Sequence, residues 1–276
     1  MELKDYKELI EMALNEDLLD DGDITSEAIF GQDDIDTFFL ISKDDGVLCG
    51  VQVFTDVFKY VDETVSINFN FKDGDRISKD DTIATIKGKV ISILNAERTA
   101  INFISHLSGV ATKTNIFVSA TDGKIKILDT RKTLPGYRML QKYAVKCGGG
   151  NNHRIGLYDM VMIKDNHIDA SGSITEAVDR VRKKWKNLYK IEVETRNLEE
   201  VREALSCQVD RIMLDNMHSK TMIDAINIVN KEVEIEASGN MSLERLKELH
   251  GLGIDYISFG ELTHTVKAFD FSIKKS

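Results

Sequence analysis

Between Asp129 and His167 the chain gathers seven basic side chains, Arg131, Lys132, Arg138, Lys142, Lys146, Arg154 and Lys164, against three acids, Asp129, Asp159 and Asp165. That surplus of four positive charges, seven minus three, lies inside a chain of formal net charge −10. A local cationic field of this kind suits a small polyanion. The chain's only proline, Pro135, precedes Gly136, and Gly148-Gly149-Gly150 follows soon after. Backbone N–H groups bare of side chains can cradle phosphate or carboxylate. A lone glycine run reads as a flexible loop; set between Arg131/Lys132 and His153/Arg154, this one reads as part of a binding site.

The residues that could act beside this patch recur at the ends of short apolar runs. IKILDTR, YDMVMIKD, KIEVET, DRIMLDN, VEIEAS and DYISFG have the texture of buried parallel strands, and amphipathic segments around Ala177/Val178/Val181/Trp185, Leu198/Val201/Ala204/Leu205 and Met222/Ile223/Ile226/Val229 separate them. At the strand ends stand Asp129 and Arg131, Lys164 and Asp165, Glu192 and Glu194, Asp215 and Asn216, Glu236 and Ser238, and Gly260. Strand and helix alternation fits an α/β barrel or a doubly wound sheet, and the polar residues ringing one face predict the barrel, TIM-like and complete or incomplete. Ser238-Gly239-Asn240, with Ser242 as the expected N-cap, and Ser258-Phe259-Gly260 lead into helices whose N-terminal N–H groups suit a phosphate. Glu192 and Glu194, two apart on one strand, share a face, and such a pair is costly to bury without a cation.

The elements in front of the barrel have another texture. Leu3 to Leu19 carries a helical stripe of Leu9, Ile10, Ala13 and Leu14; Asp20 to Asp23 forms an acidic turn. From Thr37 to Val90 the runs TFFLIS, GVLCGVQVF, VSINFNF and DTIATIKGKV, split by DDG and KDGD turns, predict antiparallel strands. KDGDRISKDDTIATIKG has the look of half a lipoyl or biotinyl carrier, yet Lys87 lacks the apolar flanks of a modified lysine, so a plain sheet segment is expected. Ile91 to Ala120 predicts a long helix, broken near Gly109. The expected organisation is an N-terminal α+β sandwich domain over 1–110 with an antiparallel sheet, then an α/β barrel domain over 111–276, with return of the C-terminal tail to the first domain left as an option.

Composition narrows the classes. At 42% hydrophobic and 30% charged, the chain can bury a core. No apolar run nears the roughly 20 residues that span a bilayer, and Met1 opens into a charged amphipathic helix, so no membrane and a cytoplasmic location are expected. A pI near 5.2 disfavours nucleic acid. Cys49, Cys147 and Cys207 show no C-x-x-C spacing, which suggests neither a disulfide framework nor zinc. Cys147 reads as a small buried apolar residue, with a nucleophile as the other option.

DTRKT-PG, KYAVKCGGG-NHR-GLYD and IKDNH, with ERTA at 97–100 and SGVATKT at 108–114, resemble the quinolinate phosphoribosyltransferases, also called carboxylating nicotinate-nucleotide pyrophosphorylases, over nearly the whole chain. The resemblance implies phosphoribosyl transfer from phosphoribosyl pyrophosphate to quinolinate with decarboxylation, giving nicotinate mononucleotide, pyrophosphate and CO2 for NAD synthesis. It implies a homodimer in which Arg98 of ERTA reaches the neighbouring quinolinate site. Two adjacent carboxylates call for forked guanidinium groups, so Arg98, Arg131 and Arg154, with His153 and Lys164, are assigned to quinolinate. Lys132, Ser238, Gly239, Asn240, Ser258 and Gly260, with Glu194 and Asp215, are assigned to phosphoribosyl pyrophosphate. Glu194 and Asp215, with Glu192 beside them, are the expected Mg2+ ligands, and Lys164, Glu194 and Asp215 the catalytic set. The family reads SGG where this chain has SGN; Asn can enter the same left-handed turn.

Three other readings stay open on sequence: a related phosphoribosyltransferase with another acceptor, a Schiff-base lyase using Lys164, and a catalytically silent phosphoribosyl-binding protein.

Overall fold

The computed structural model describes residues 6–275; Leu3 to Asp5 of the predicted first helix lie outside them. The chain divides into two compact units. One takes the segments up to Asn115, Thr133–Gly149 and from Leu262 on; the other takes Ile116–Lys132 and Gly150–Glu261.

The first unit is built on an antiparallel sheet. It contains α1 (Lys7–Leu18), α2 (Ile24–Ile29), β1 (Ile35–Ser42), β2 (Gly46–Val47), α3 (Val51–Val61), β3 (Ser66–Phe69), β4 (Arg76–Ile77), β5 (Thr82–Lys89) and most of α4 (Val90–Ser119). Two later elements join it, α5 (Arg138–Cys147) and β12 (Phe271–Lys275). The sheet runs β12-β1-β5-β3, with β2 and β4 a separate pair. On β1, Phe38 faces Ile86 of β5 on one side and Lys275 of β12 on the other.

Two local expectations change here. GVLCGVQVF yields only a two-residue strand, and from Val51 the chain is helix. Gly50, at φ 110°, turns the chain, and Asp73, distant in sequence, accepts the Gly50 and Val51 N–H groups at 2.8 and 3.0 Å. That cap satisfies donors a new helix leaves orphaned, and Val53, Phe54, Val57 and Phe58 become its buried stripe. Gly109 does not break α4, which runs unbroken for 30 residues. A Cβ there would sit 2.3 Å from the Lys267 carbonyl oxygen, so the glycine admits a crossing backbone.

The second unit is a parallel α/β structure. Its strands β6 (Lys126–Leu128), β7 (Val161–Ile163), β8 (Ile191–Thr195), β9 (Arg211–Asp215), β10 (Glu234–Ser238) and β11 (Tyr256–Ser258) pair in the order β6-β11-β10-β9-β8-β7. Sequential winding that brings the last strand beside the first is barrel topology. All six predicted strands form. Among the described residues β6 and β7 share no ladder; instead Asn151 bridges the outer edge of β6, its N–H bonding Ile127 O at 2.7 Å. The ring is a six-stranded, incomplete barrel. Interleaved helices are α6 (Asp165–Ser171), α7 (Ile174–Trp185), α8 (Leu198–Ser206), α9 (Ser219–Val229) and α10 (Leu243–Leu249). Ser173, Asn197 and the predicted Ser242 cap α7, α8 and α10 through side-chain oxygens. Buried Ile, Val and Leu on these elements each contribute roughly 1.5–3 kcal/mol of hydrophobic stabilisation.

Candidate active site

Parallel strands deliver their C-terminal residues to one rim, and the rim of the second unit carries the expected groups. Lys164 follows β7, and its Nζ meets Glu194 Oε2, near the end of β8, at 2.7 Å. Asp215 ends β9 and accepts from Asn216 Nδ2 at 2.9 Å. Ser238 ends β10, Ser258 ends β11, and Gly260 lies between β11 and the short helix α11 (Glu261–His264). Arg131 and Lys132 follow β6, and the Lys132 N–H bonds Thr130 Oγ1 at 3.0 Å.

Arg131 and Arg154 lie close enough to repel. Burial first, and then the Arg131 charge, draw the Arg154 guanidinium below its usual range. Arg154 donates to Met160 O at 3.2 Å, and Arg131 keeps a buried Nε with no hydrogen-bond partner. Two neighbouring guanidinium groups with a buried donor unsatisfied have the chemistry to receive a molecule bearing more than one carboxylate.

His153 sits beneath them on a buried network that the sequence only partly signals. Its backbone N–H bonds Asp129 Oδ1 at 2.9 Å and its Nδ1 accepts the Arg154 N–H at 2.7 Å. Its Nε2 lies 3.0 Å from Glu192 Oε2 and 3.3 Å from Glu236 Oε2. Arg211 Nη1 approaches Glu236 at 3.2 Å and Glu192 at 3.9 Å. Glu192 and Glu236 are fully buried. Two buried carboxylates against one guanidinium leave a negative charge that a proton must offset. Burial alone would depress the imidazole, but the two carboxylates hold it up at about 9. Burial and the Glu236 charge raise Glu192, whereas Glu236, despite burial, is lowered by His153, Ser258 and Arg211. With Nδ1 committed to Arg154, the added proton belongs to the Nε2 side, and the cluster titrates as a unit. Sequence placed Glu192 and Glu236 in the rim ring; the structure sets them two positions inward. The available signal was a charge in strands otherwise buried on both faces; nothing in RIMLD marked Arg211.

The glycines divide by role. Gly148 and Gly149 spend their N–H groups on Ala144 O and Lys146 O at the end of α5, at 3.0 and 2.9 Å. A Cβ on Gly148 would meet the Ala111 carbonyl oxygen at 2.3 Å. The run is therefore a packed helix terminus, and its first two N–H groups do not form the expected anion cradle. Gly239 is different: at φ 85°, an added Cβ would lie 2.3 Å from Asn216 Oδ1. Asn240 follows at φ 46°, in the left-handed region foreseen for it, and its Nδ2 bonds Asn216 Oδ1 at 3.1 Å. Arg98 belongs to the first unit, exposed on α4, where it lines a cavity of about 500 Å3 with Glu16, Asp17, Asn102 and Tyr137.

For a metal, the donor chemistry favours Glu194 and Asp215 on adjacent strands. Lys164 and Asn216 take one lone-pair site on each, and a carboxylate offers about four. Mg2+ uses one or two protein carboxylates together with substrate phosphates, which this pair fits. His153, Glu192 and Glu236 also place ligand atoms within 4.8 Å of one another, but Arg211 and the shared proton already neutralise them.

The two family models that match are the quinolinate phosphoribosyl transferase N-terminal domain, over residues 23–108, and its C-terminal domain, over 110–274. This chain belongs to the quinolinate phosphoribosyl transferase family. A family relative named probable nicotinate-nucleotide pyrophosphorylase [carboxylating], from Bacillus subtilis, is 43% identical over 94% of this chain and 91% of its own. The crystal structure of NadC from Streptococcus pyogenes superposes with a TM-score of 0.94 at 42% identity, covering 97% of this chain and 94% of that one. Nicotinate-nucleotide pyrophosphorylase from Ehrlichia chaffeensis gives 0.94 at 40% identity over the whole of both chains. Within this family the barrel rim just described is the candidate active site.

Proposed function

We propose that this chain joins the ring nitrogen of quinolinate to carbon 1 of phosphoribosyl pyrophosphate, releasing pyrophosphate, and that loss of the 2-carboxylate as CO2 yields nicotinate mononucleotide, a step of NAD biosynthesis. The observation that carries the choice of acceptor is the Arg131–Arg154 pair. Two forked cations at one rim suit two adjacent carboxylates, and a monocarboxylate would leave one of them unanswered. The names of the relatives support the same reading.

In this proposal Arg131 and Arg154 grip the dicarboxylate, and His153 fixes Arg154 through Nδ1. Lys132 acts as a point charge on phosphate. The turns at Ser238, Gly239, Asn240, Ser258 and Gly260 border the 5-phosphate and pyrophosphate. Glu194 and Asp215 hold the ribose hydroxyls and would hold Mg2+, which, when bound, offsets charge on the departing pyrophosphate. Lys164, oriented by Glu194, faces the carbanion left at carbon 2, where it stabilises charge or returns a proton. The quaternised ring nitrogen is itself the electron sink. Arg98 serves the neighbouring site of a homodimer in the cytoplasm.

Incubation with phosphoribosyl pyrophosphate and Mg2+, with quinolinate or nicotinate as acceptor and nicotinate mononucleotide followed by absorbance, tests the reading. Product from quinolinate alone is expected. Product from nicotinate at a comparable rate would defeat the dicarboxylate assignment, and product from neither would defeat the reaction.

A further inference from the structure

Within the first unit three residues distant in sequence converge on one point. Cys49 precedes α3, Cys147 ends α5 and Asp73 lies between β3 and β4. The two sulfurs and an Asp73 carboxylate oxygen lie within 4.8 Å of one another. Cys49 is completely buried and Cys147 partly exposed. The thiols share a hydrogen bond.

The surroundings fix the carboxylate. Asp73 Oδ1 accepts the Gly50 and Val51 N–H groups at 2.8 and 3.0 Å, and Oδ2 accepts the Tyr143 hydroxyl at 2.7 Å. These take three of about four lone-pair sites on a carboxylate, which leaves one on Oδ2. An outer hydrogen bond that orients a ligand is what metal sites use to aim a carboxylate. The Cys49 backbone is clamped as well: its N–H bonds Ser108 Oγ at 3.0 Å, and its carbonyl accepts from the same hydroxyl at 3.1 Å. Nothing in the proposed reaction uses any of these groups.

We propose that Cys49, Cys147 and Asp73 form a binding site for a thiophilic divalent cation of the zinc class, with Tyr143 orienting Asp73. Soft thiolates select such ions over Mg2+ and Ca2+, and two sulfurs with one oxygen make three sides of a tetrahedron. The half-exposed side of Cys147 admits water as the fourth ligand. Binding converts both thiols to thiolates and releases their protons to solvent. The Cys147 thiol is already drawn below its ordinary range by the hydrogen bond from Cys49, while burial pushes Cys49 up. The bound ion would pin the N-terminus of α3 to the C-terminus of α5.

The probe is Co2+, titrated into the full chain after reduction and metal removal. Thiolate coordination gives charge-transfer absorption, and four-coordinate geometry gives intense visible bands. One equivalent should produce both, and Zn2+ should displace it. Cys49→Ser and Cys147→Ser should each lose the charge-transfer band, and Cys207→Ser should keep it. Tyr143→Phe should bind roughly 10- to 100-fold more weakly with the spectrum retained. No charge-transfer band in the unsubstituted chain would overturn the proposal without reference to any variant's folding. So would a band that survives in the Cys49→Ser/Cys147→Ser double variant. Failure to bind Co2+, together with joining of the two thiols by a disulfide reagent, would overturn it in favour of a redox pair.

Discussion

The buried network under the active-site rim makes a sharp prediction about stability and pH. His153 holds its proton to about pH 9 in the fold, against an ordinary 6.5. A group whose affinity for its proton is greater folded than unfolded stabilises the fold fully below the unfolded value. That contribution disappears as pH rises through the folded value. The second unit should therefore be at full strength near pH 6 and weaken between about 6.5 and 9. At 1.36 kcal/mol per decade of proton affinity, the loss is at most about 3–4 kcal/mol; Glu192 shares the proton, so this is a ceiling. Trp185, the chain's single tryptophan, lies on α7 of the same unit, and its fluorescence reports urea unfolding there. Midpoints measured at successive pH values should descend across the window. His153→Gln should flatten the descent, and Glu236→Gln, which removes one of the two carboxylates, should shift it to lower pH. A profile for the unsubstituted chain that stays level from pH 6.5 to 9 would refute the shared-proton account.

Lys164→Ala should lower kcat by roughly 10²–10⁴, measured as nicotinate mononucleotide formation at saturating substrates; a change confined to KM would exclude a part in decarboxylation. Arg131→Lys should lower kcat/KM for quinolinate by roughly 10- to 100-fold, the cost of about 1.5–3 kcal/mol for a charged hydrogen bond, with KM for phosphoribosyl pyrophosphate little changed. Gly109→Ala, which in an open helix would gain up to about 1 kcal/mol, should instead cost roughly 1–3 kcal/mol in denaturant unfolding, because its methyl meets a carbonyl oxygen. Inactive Arg98→Ala and Arg131→Ala chains, unfolded and refolded together, should regain partial turnover if Arg98 serves a partner's site; a mixture as inactive as its parents counts against donation across a dimer.

The barrel was legible because its signal is regional. Six apolar runs spaced by amphipathic segments fit a barrel or a doubly wound sheet, and the polar residues closing those runs decide for the barrel and point to one rim. Lys164, Glu194 and Asp215 are visible for that reason. What escaped depends on distant partners. The run GVLCGVQVF passes for a strand, yet from Val51 it is helix under a cap from Asp73 that no local window contains. Gly148 advertises flexibility, yet it is a glycine because Ala111 passes 2.3 Å from where a Cβ would be. Glu192 and Glu236 read as members of the ring, and their burial around His153 and Arg211 emerges only when β8, β9 and β10 lie side by side.

The pairing of β1 with β12 has a consequence for how the protein comes into being. Phe38 and Lys275 are partners 237 positions apart. At roughly 5–20 residues per second, a ribosome needs about 10–50 seconds to make the stretch between them. For that interval β1 has β5 on one side and an unpaired, aggregation-prone edge on the other. The sheet of the first unit is thus finished only once β12 has been made, on a clock set by translation and not by the speed of strand pairing.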